Sequence, residues 1–186
     1  MKFTPLKAGL AFLPVSFLIG TGALLAPRLI ARIGYKPIIV IAPLLIAVGL
    51  FTFGHITIDG GYMDVLPGLL VVAAGLGFSF VAVSIAATTG APPEQSGLAS
   101  GLLSTAQQIG GSLGLAVLTS VATAKTVSLM AAGGISQNAA LLGGFHAAFY
   151  TGVGFALSAS ILALLLIRRP RARAERPGFE GLPTAH

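Results

Sequence analysis

The sequence predicts an all-α integral membrane protein with five transmembrane helices. Of its 186 residues, 55% are hydrophobic and 9% are charged, and the mean hydropathy is +0.93, whereas soluble domains carry about 25% charged residues. Five apolar runs are each long enough to cross hydrocarbon about 30 Å thick, which takes about 20 helical residues. The runs lack the period-2 alternation of barrel strands, and a helix satisfies its own backbone polar groups. An ordinary soluble enzyme is therefore excluded.

These five runs lie within a membrane domain of residues 1–167, and polar or turn-forming residues separate them. We expect the membrane segments at about 8–26, 37–53, 65–87, 97–122 and 144–167. Pro14 and the sequence Gly20-Thr21-Gly22 make the first segment bendable. A secretory signal peptide is the competing interpretation of this segment, but its length and the basic residues that follow it disfavour that reading.

The later segments follow recognisable start signals. A basic turn that ends at Pro37 precedes the second segment. Asp64 is expected to be the N-cap of the third, with Pro67 in the first turn, where its missing N–H costs nothing. Pro92-Pro93 favours a turn into the fourth, and we expect a long joint over 123–143 before the fifth. Residues 168–186 form a basic polar tail that cannot build a core, and the sequence predicts that it is disordered.

The distribution of Lys and Arg predicts the orientation in the membrane. Cytoplasmic loops carry the excess of these residues, and five crossings place the termini on opposite sides. With the N-terminus outside and the C-terminus in the cytoplasm, eight of the eleven Lys and Arg residues lie inside. We therefore predict a multi-pass protein of the plasma (inner) membrane with this orientation. An outside N-terminus without a preceding helix is unusual, so we expect that further sequence lies upstream.

Small and polar residues gather on one side of the fourth segment. At 100° per residue this side contains glycines, serines and the two amides Gln107 and Gln108, whereas leucines occupy the other side. Small residues let membrane helices approach closely, which favours helix packing at Gly97, Gly101, Gly110, Gly111 and Gly114. Amides in hydrocarbon need a partner helix or a water-filled path. Packing and a substrate pathway therefore both remain open for Gln107 and Gln108.

The third segment carries a weaker stripe of small residues that includes Ser79, with Phe78 and Phe80 beside it. Aromatic side chains next to small residues could line a path for an apolar cation or drug, although aromatic packing explains them equally well. The tentative substrate pathway consists of Phe78, Ser79, Gln107 and Gln108.

Patterns for enzyme chemistry and metal binding are missing from the sequence. It contains no GxxxxGK[ST] loop, no HExxH and no cysteine, and the helical serines have no histidine nearby. We predict neither an enzyme nor a cofactor nor a metal site. The net charge of +6 arises from residues at the ends of apolar runs, which indicates a membrane protein and no nucleic-acid partner.

Several stretches together resemble the major facilitator superfamily, in particular its fourteen-helix drug:proton antiporters (the EmrB/QacA subfamily). They are Ala8–Pro14, Leu29–Pro37, Leu66–Leu70, Gly97–Leu102 and Gln108–Gly111. The likeness covers about residues 4–167. It implies that the chain contains the last five helices of a C-terminal six-helix bundle. The third helix would then line the central cavity, and the first and fourth would lie between the two halves of the transporter.

This resemblance also assigns roles to the basic turn. Leu29, Arg32, Gly34 and Lys36 match the superfamily's cytoplasmic gating loop, although Ala31 stands where an aspartate is usual. The carboxylates that such antiporters use for proton coupling have no counterpart, because all five acidic residues lie outside the apolar runs. The segment would then supply wall and gate without the coupling site.

The sequence therefore predicts the C-terminal part of a proton-coupled multidrug or small-molecule efflux transporter, incomplete and inactive alone. Its partners would be the lipid bilayer and the missing N-terminal half or another membrane protein. The complete transporter would carry a small hydrophobic or cationic substrate by alternating access. The alternative is a small structural or regulatory membrane subunit without transport activity.

Overall fold

The computed structural model of the chain describes residues 5–57, 60–89 and 92–167. Across these ranges it contains five α-helices and no strand: α1 Pro5–Ile33, α2 Tyr35–Phe53, α3 Tyr62–Thr88, α4 Ser96–Ala132 and α5 Gln137–Leu166, with a 3-10 turn at Pro93–Gln95. All five helices are long and apolar enough to cross a membrane. The predicted fold class is therefore confirmed, whereas the predicted disordered tail, 168–186, lies outside the described residues.

A single residue, Gly34, joins α1 to α2. The basic turn expected between these helices is mostly helical, because α1 continues to Ile33 and α2 begins at Tyr35. Gly34 has φ 82° and its N–H donates to the Ile30 carbonyl oxygen at 2.8 Å. A residue with a Cβ is strained at this φ, so the tight link between α1 and α2 depends on glycine.

The start of α3 differs from the sequence prediction. Gly61 is the N-cap, and Asp64 lies three positions further on, inside the first turn. The Asp64 Oδ2 atom accepts a hydrogen bond from the Gly61 N–H at 2.7 Å. The prediction that Asp64 is the N-cap was therefore wrong. Its carboxylate still stabilises the helix start, because it satisfies a backbone N–H and lies near the positive end of the helix dipole.

Helix α4 extends well beyond its expected apolar segment. It runs through 37 residues to Ala132, a length of about 55 Å at 1.5 Å per residue. Gly133 and Gly134 then end it with φ of 70° and 80°. The expected joint at 123–143 is thus reduced to the short stretch 133–136. Residues 123–132 contain one charge and no Gly or Pro, so nothing in that stretch breaks the helix.

The helices pack in the spatial order α1, α3, α2, α5, α4. Helix α3 lies between α1 and α2, α2 also packs along α5, and α5 packs along α4, which touches α3 at a few positions. At one end of the bundle lie the α2–α3 connection and the starts of α1 and α5, and we call it the α2–α3 end. At the opposite end, the α1–α2 end, Ile38, Ile39, Ala82 and Ala163 form a buried cluster.

Small residues form most of the helix contacts, and large apolar residues face outward. Ala26, Ala42, Ala73, Ala82 and Ala140 are almost completely buried, whereas most leucines and phenylalanines are exposed. A water-soluble bundle would bury the larger side chains. The reverse arrangement is typical of membrane helices, whose backbones approach closely through small residues while leucines contact lipid.

Candidate functional site

A cavity of about 290 Å³ lies between α1, α3 and α4, open on the side that no described helix covers. Ile19 of α1 and Gln107 of α4 form two of its walls. The third wall is α3, which contributes Leu76, Ser79, Phe80 and Val83. The cavity thus combines four apolar side chains with two polar ones, the composition of many small-molecule sites.

The rotation of α3 about its axis decides which aromatic residue reaches the cavity. Leu76, Ser79, Phe80 and Val83 are three or four positions apart, so they share one helix face. Phe78 lies two positions from Phe80, about 200° round the helix. It packs against the buried cluster at the α1–α2 end, while Phe80 lines the cavity with 64% of its surface exposed.

The two adjacent amides of α4 also have different surroundings. Gln107 lines the cavity and, within the described part of the chain, its side chain has no hydrogen-bond partner. The Gln108 Nε2 atom donates to the Ser104 Oγ atom of the same helix at 3.4 Å. The cavity therefore offers the Gln107 amide and the Ser79 hydroxyl for hydrogen bonds. No lining residue is charged.

The small-residue face of α4 is uncovered. A Cβ placed on Gly97, Gly101, Gly110, Gly111 or Gly114 would meet no other described atom within 4 Å. No residue of α4 is buried, whereas every other membrane helix has buried positions. Within the described chain these glycines pack against nothing, and their role in helix packing stays a prediction.

Close helix contacts occur instead at glycines that the sequence analysis did not select. Gly22 of α1 and Gly77 of α3 cross with their backbones in contact, and a Cβ on Gly77 would lie 2.6 Å from the Ile19 carbonyl oxygen. Gly75 similarly contacts the backbone of α2 near Ala42 and Ile46. These contacts hold α3 between α1 and α2 and so position Ser79 and Phe80. A search for small residues on both partner helices could have found them.

The four residues assigned to the gating loop surround the α1–α2 link. Leu29 and Arg32 are exposed near the end of α1, Lys36 is half-buried in the first turn of α2, and Gly34 lies between them. Arg32 lies where the negative end of the helix dipole stabilises a cation. Tyr35 packs against the buried cluster at this end, which ties the link to the rest of the bundle.

Metal-binding geometry is absent from the described ranges, because no three His, Asp or Glu side chains come together there. Of the acidic residues with described positions, Asp64 lies in the first turn of α3 and Glu94 in the 3-10 turn before α4. Both lie at helix ends, away from the cavity lining.

Comparison with known proteins gives consistent matches. The sequence profile of the Major Facilitator Superfamily matches residues 1–115. The puromycin resistance protein pur8 of Streptomyces alboniger is 31% identical over 192 aligned positions, which cover 100% of this chain and 38% of that protein. A multidrug resistance protein B homolog of Mycobacterium tuberculosis is 32% identical over 155 positions, covering 74% of this chain and 28% of the relative.

A third similar protein is the tetracenomycin C resistance and export protein of Streptomyces glaucescens, 31% identical over 115 positions, covering 62% of this chain and 21% of the relative. The chain therefore spans well under half the length of these relatives.

Proposed function

This chain belongs to the major facilitator superfamily of membrane transporters, and from this premise we propose that it is the C-terminal part of a proton-coupled efflux transporter for small hydrophobic or cationic drugs. The three relatives compared above are resistance or export proteins by name. Transport by alternating access needs two bundles around a site near the middle of the membrane. This chain would supply one of them, in the plasma membrane, with its N-terminus outside and its C-terminus in the cytoplasm.

The cavity between α1, α3 and α4 carries this proposal. Its apolar walls suit a hydrophobic substrate, and Phe80 adds an aromatic face that attracts cations. The Gln107 amide and the Ser79 hydroxyl can orient polar groups of different substrates without selecting one charge. A cavity of this composition is compatible with several drugs.

The uncovered face of α4 supports a partner. Its five glycines have no neighbour within the described chain, and membrane helices expose such faces where another helix can approach closely. We propose that the N-terminal half of a transporter, or another membrane protein, covers α4 and closes the cavity. Because no acidic residue lies within an apolar run of this chain, the proton-coupling carboxylates would belong to that partner.

A second candidate function rests on the same α4 face. A small structural or regulatory membrane subunit would use the glycines to pack against a partner and would not transport a substrate. The cavity separates the two functions, since only a transporter needs Gln107 for substrates.

The first experiment substitutes Gln107 by Leu in a chimera. In it, this chain replaces the matching part of the Streptomyces alboniger puromycin resistance protein. We expect an altered drug-resistance profile, because the substitution removes the amide from the cavity wall. Expression and thermal stability should stay near those of the parent chimera, since interhelical hydrogen bonds in membranes average only about 0.6 kcal/mol.

Gln108→Leu is the matched control in the same chimera. Gln108 is the neighbouring amide, but it bonds within α4 and does not line the cavity. If the pathway follows the cavity, the Gln107 variant should change the profile more than the Gln108 variant. Two variants with the parental profile would contradict the pathway and favour the subunit.

The second experiment tests the need for a partner. Proteoliposomes that contain this chain alone should show no drug-dependent proton movement, because one bundle cannot form a two-sided cavity and its apolar runs contain no carboxylate. Drug-dependent proton movement by the chain alone would refute both the partner and the assignment of the coupling site to it.

A further inference from the structure

Pro14 creates a weak point in α1. Proline has no N–H, so the Leu10 carbonyl oxygen lacks its helical donor, and the ring presses on that carbonyl. Membrane helices tolerate proline where neighbouring helices satisfy the disturbed backbone groups. Helix α1 nevertheless continues through Pro14 from Pro5 to Ile33. A neighbouring donor is therefore needed near this turn.

Tyr62, the first residue of α3, supplies that donor. Its hydroxyl donates to the Ala11 carbonyl oxygen at 2.6 Å, and Ala11 is the residue after Leu10 in the turn that Pro14 disturbs. Both residues are half-buried. The position of Tyr62 is itself secured, because the hydrogen bond from the Gly61 N–H to Asp64 holds the start of α3.

Two fixed points therefore flank Pro14 along α1. On one side is the Tyr62–Ala11 hydrogen bond, and on the other is the backbone crossing of Gly22 and Gly77. The segment Pro5–Leu13, which we call the arm, is otherwise sparsely covered: Leu6, Leu10, Phe12 and Leu13 all expose more than half of their surface. Few contacts besides the phenol hold the arm in place.

We propose that Tyr62 is a positioning residue that sets the bend of α1 at Pro14. When its hydrogen bond to Ala11 opens, the arm turns about Pro14 while the Gly22–Gly77 crossing stays closed. This device concerns the conformation of α1 and does not depend on the proposed transport function. Its test therefore needs no transport measurement.

The experiment measures distances between spin labels in the full 186-residue chain in lipid nanodiscs. The chain has no cysteine, so labels can be placed at will. One pair joins Leu6→Cys on the arm to Leu141→Cys at the start of α5, and the other joins Leu24→Cys, beyond the Gly22–Gly77 crossing, to the same reference. All three residues are exposed.

Tyr62→Phe removes only the hydroxyl. We expect the Leu6–Leu141 distribution to broaden or shift by about 4 Å, since Leu6 lies about 12 Å along the helix from Pro14 and a kink change of about 20° moves it that far. The Leu24–Leu141 distribution should stay unchanged. Tyr150→Phe is the matched control, because its hydroxyl lies at the same end but bonds to the Gly54 carbonyl oxygen. It should change neither distribution.

Pro14→Ala completes a double-mutant cycle. It restores the missing N–H, so Tyr62→Phe in this background should move the arm much less than in the parent. The proposal is overturned if Tyr62→Phe leaves the Leu6 distribution unchanged, or if it shifts the Leu24 pair equally, because the whole helix would then have moved. An equal response of the arm in the Pro14→Ala background would also overturn it.

Discussion

At the scale of single residues, identical glycines have opposite surroundings. A Cβ on Gly77 would meet the backbone of α1, whereas a Cβ on Gly110 would meet no other described atom within 4 Å. Both residues lie in helix interiors, where alanine is intrinsically favoured over glycine by about 1 kcal/mol. The difference between the two positions is therefore one of tertiary contact and not of helix propensity.

Gly77→Ala should destabilise the chain, and Gly110→Ala should be neutral or slightly stabilising. The added methyl at position 77 would lie 2.6 Å from the Ile19 carbonyl oxygen, so α1 and α3 must separate. Overpacking of this kind costs about 1–3 kcal/mol. Unfolding of the two variants in detergent, followed by circular dichroism, measures the difference. Equal stabilities would show that the Gly22–Gly77 crossing is not close enough to exclude a methyl group.

At the scale of the helix, α4 differs from the other four. It packs mainly along α5, through residues in its second half that include Ala122 and Thr126. Its first half carries Gln107 and the uncovered glycines. In the described chain this half is therefore the surface best suited to contact another protein.

Gly111→Leu should separate folding from assembly. Position 111 has no neighbour within the described chain, so the variant chain alone should keep the helical content and thermal stability of the parent. In the chimera with the Streptomyces alboniger protein, the leucine should push apart the helices that meet at α4 and reduce the yield of stable protein. Size-exclusion profiles of the chain and the chimera provide the measurement.

An equally stable Gly111→Leu chimera would mean that α4 faces lipid at this position. Loss of stability in the chain alone would instead mean that Gly111 already packs within it. Either result would contradict a partner at the glycine face.

At the scale of the whole molecule, the bundle separates its two ends by their side chains. The α1–α2 end carries Arg28, Arg32 and Lys36. The opposite end has an aromatic group in which Phe51, Phe53, Phe149 and Tyr150 contact one another in pairs across α2 and α5. Basic residues favour the cytoplasmic side and aromatic residues favour the membrane interfaces. This arrangement predicts the α1–α2 end inside the cell.

Cysteine labelling tests the predicted orientation. Lys125→Cys, exposed in the second half of α4, should react with an impermeant maleimide added to intact cells. Ala172→Cys, in the basic tail, should react only after the membrane is permeabilised, because the termini lie on opposite sides of a five-helix protein. The reversed labelling pattern would contradict the orientation and the alignment of the basic turn with a cytoplasmic loop.

Summed properties of the sequence determined the class of protein. Hydropathy over about 20 residues predicts membrane segments without any knowledge of their neighbours, so five helices could be predicted and are confirmed. The motifs around Leu29–Pro37 and Gly97–Leu102 led to the superfamily for the same reason, because they are local stretches. Free energies that add up along the chain can be read from the chain.

Only the tertiary structure decided how each helix is rotated and where it meets another. Hydropathy is insensitive to rotation, so Phe78 and Phe80 were equivalent until the packing of α3 turned one toward the buried cluster and the other toward the cavity. The Gly22–Gly77 crossing and the Tyr62–Ala11 hydrogen bond join residues about 50 positions apart. Such contacts depend on the relative placement of two helices. No local pattern encodes that placement, because it is settled by the packing of all the helices together.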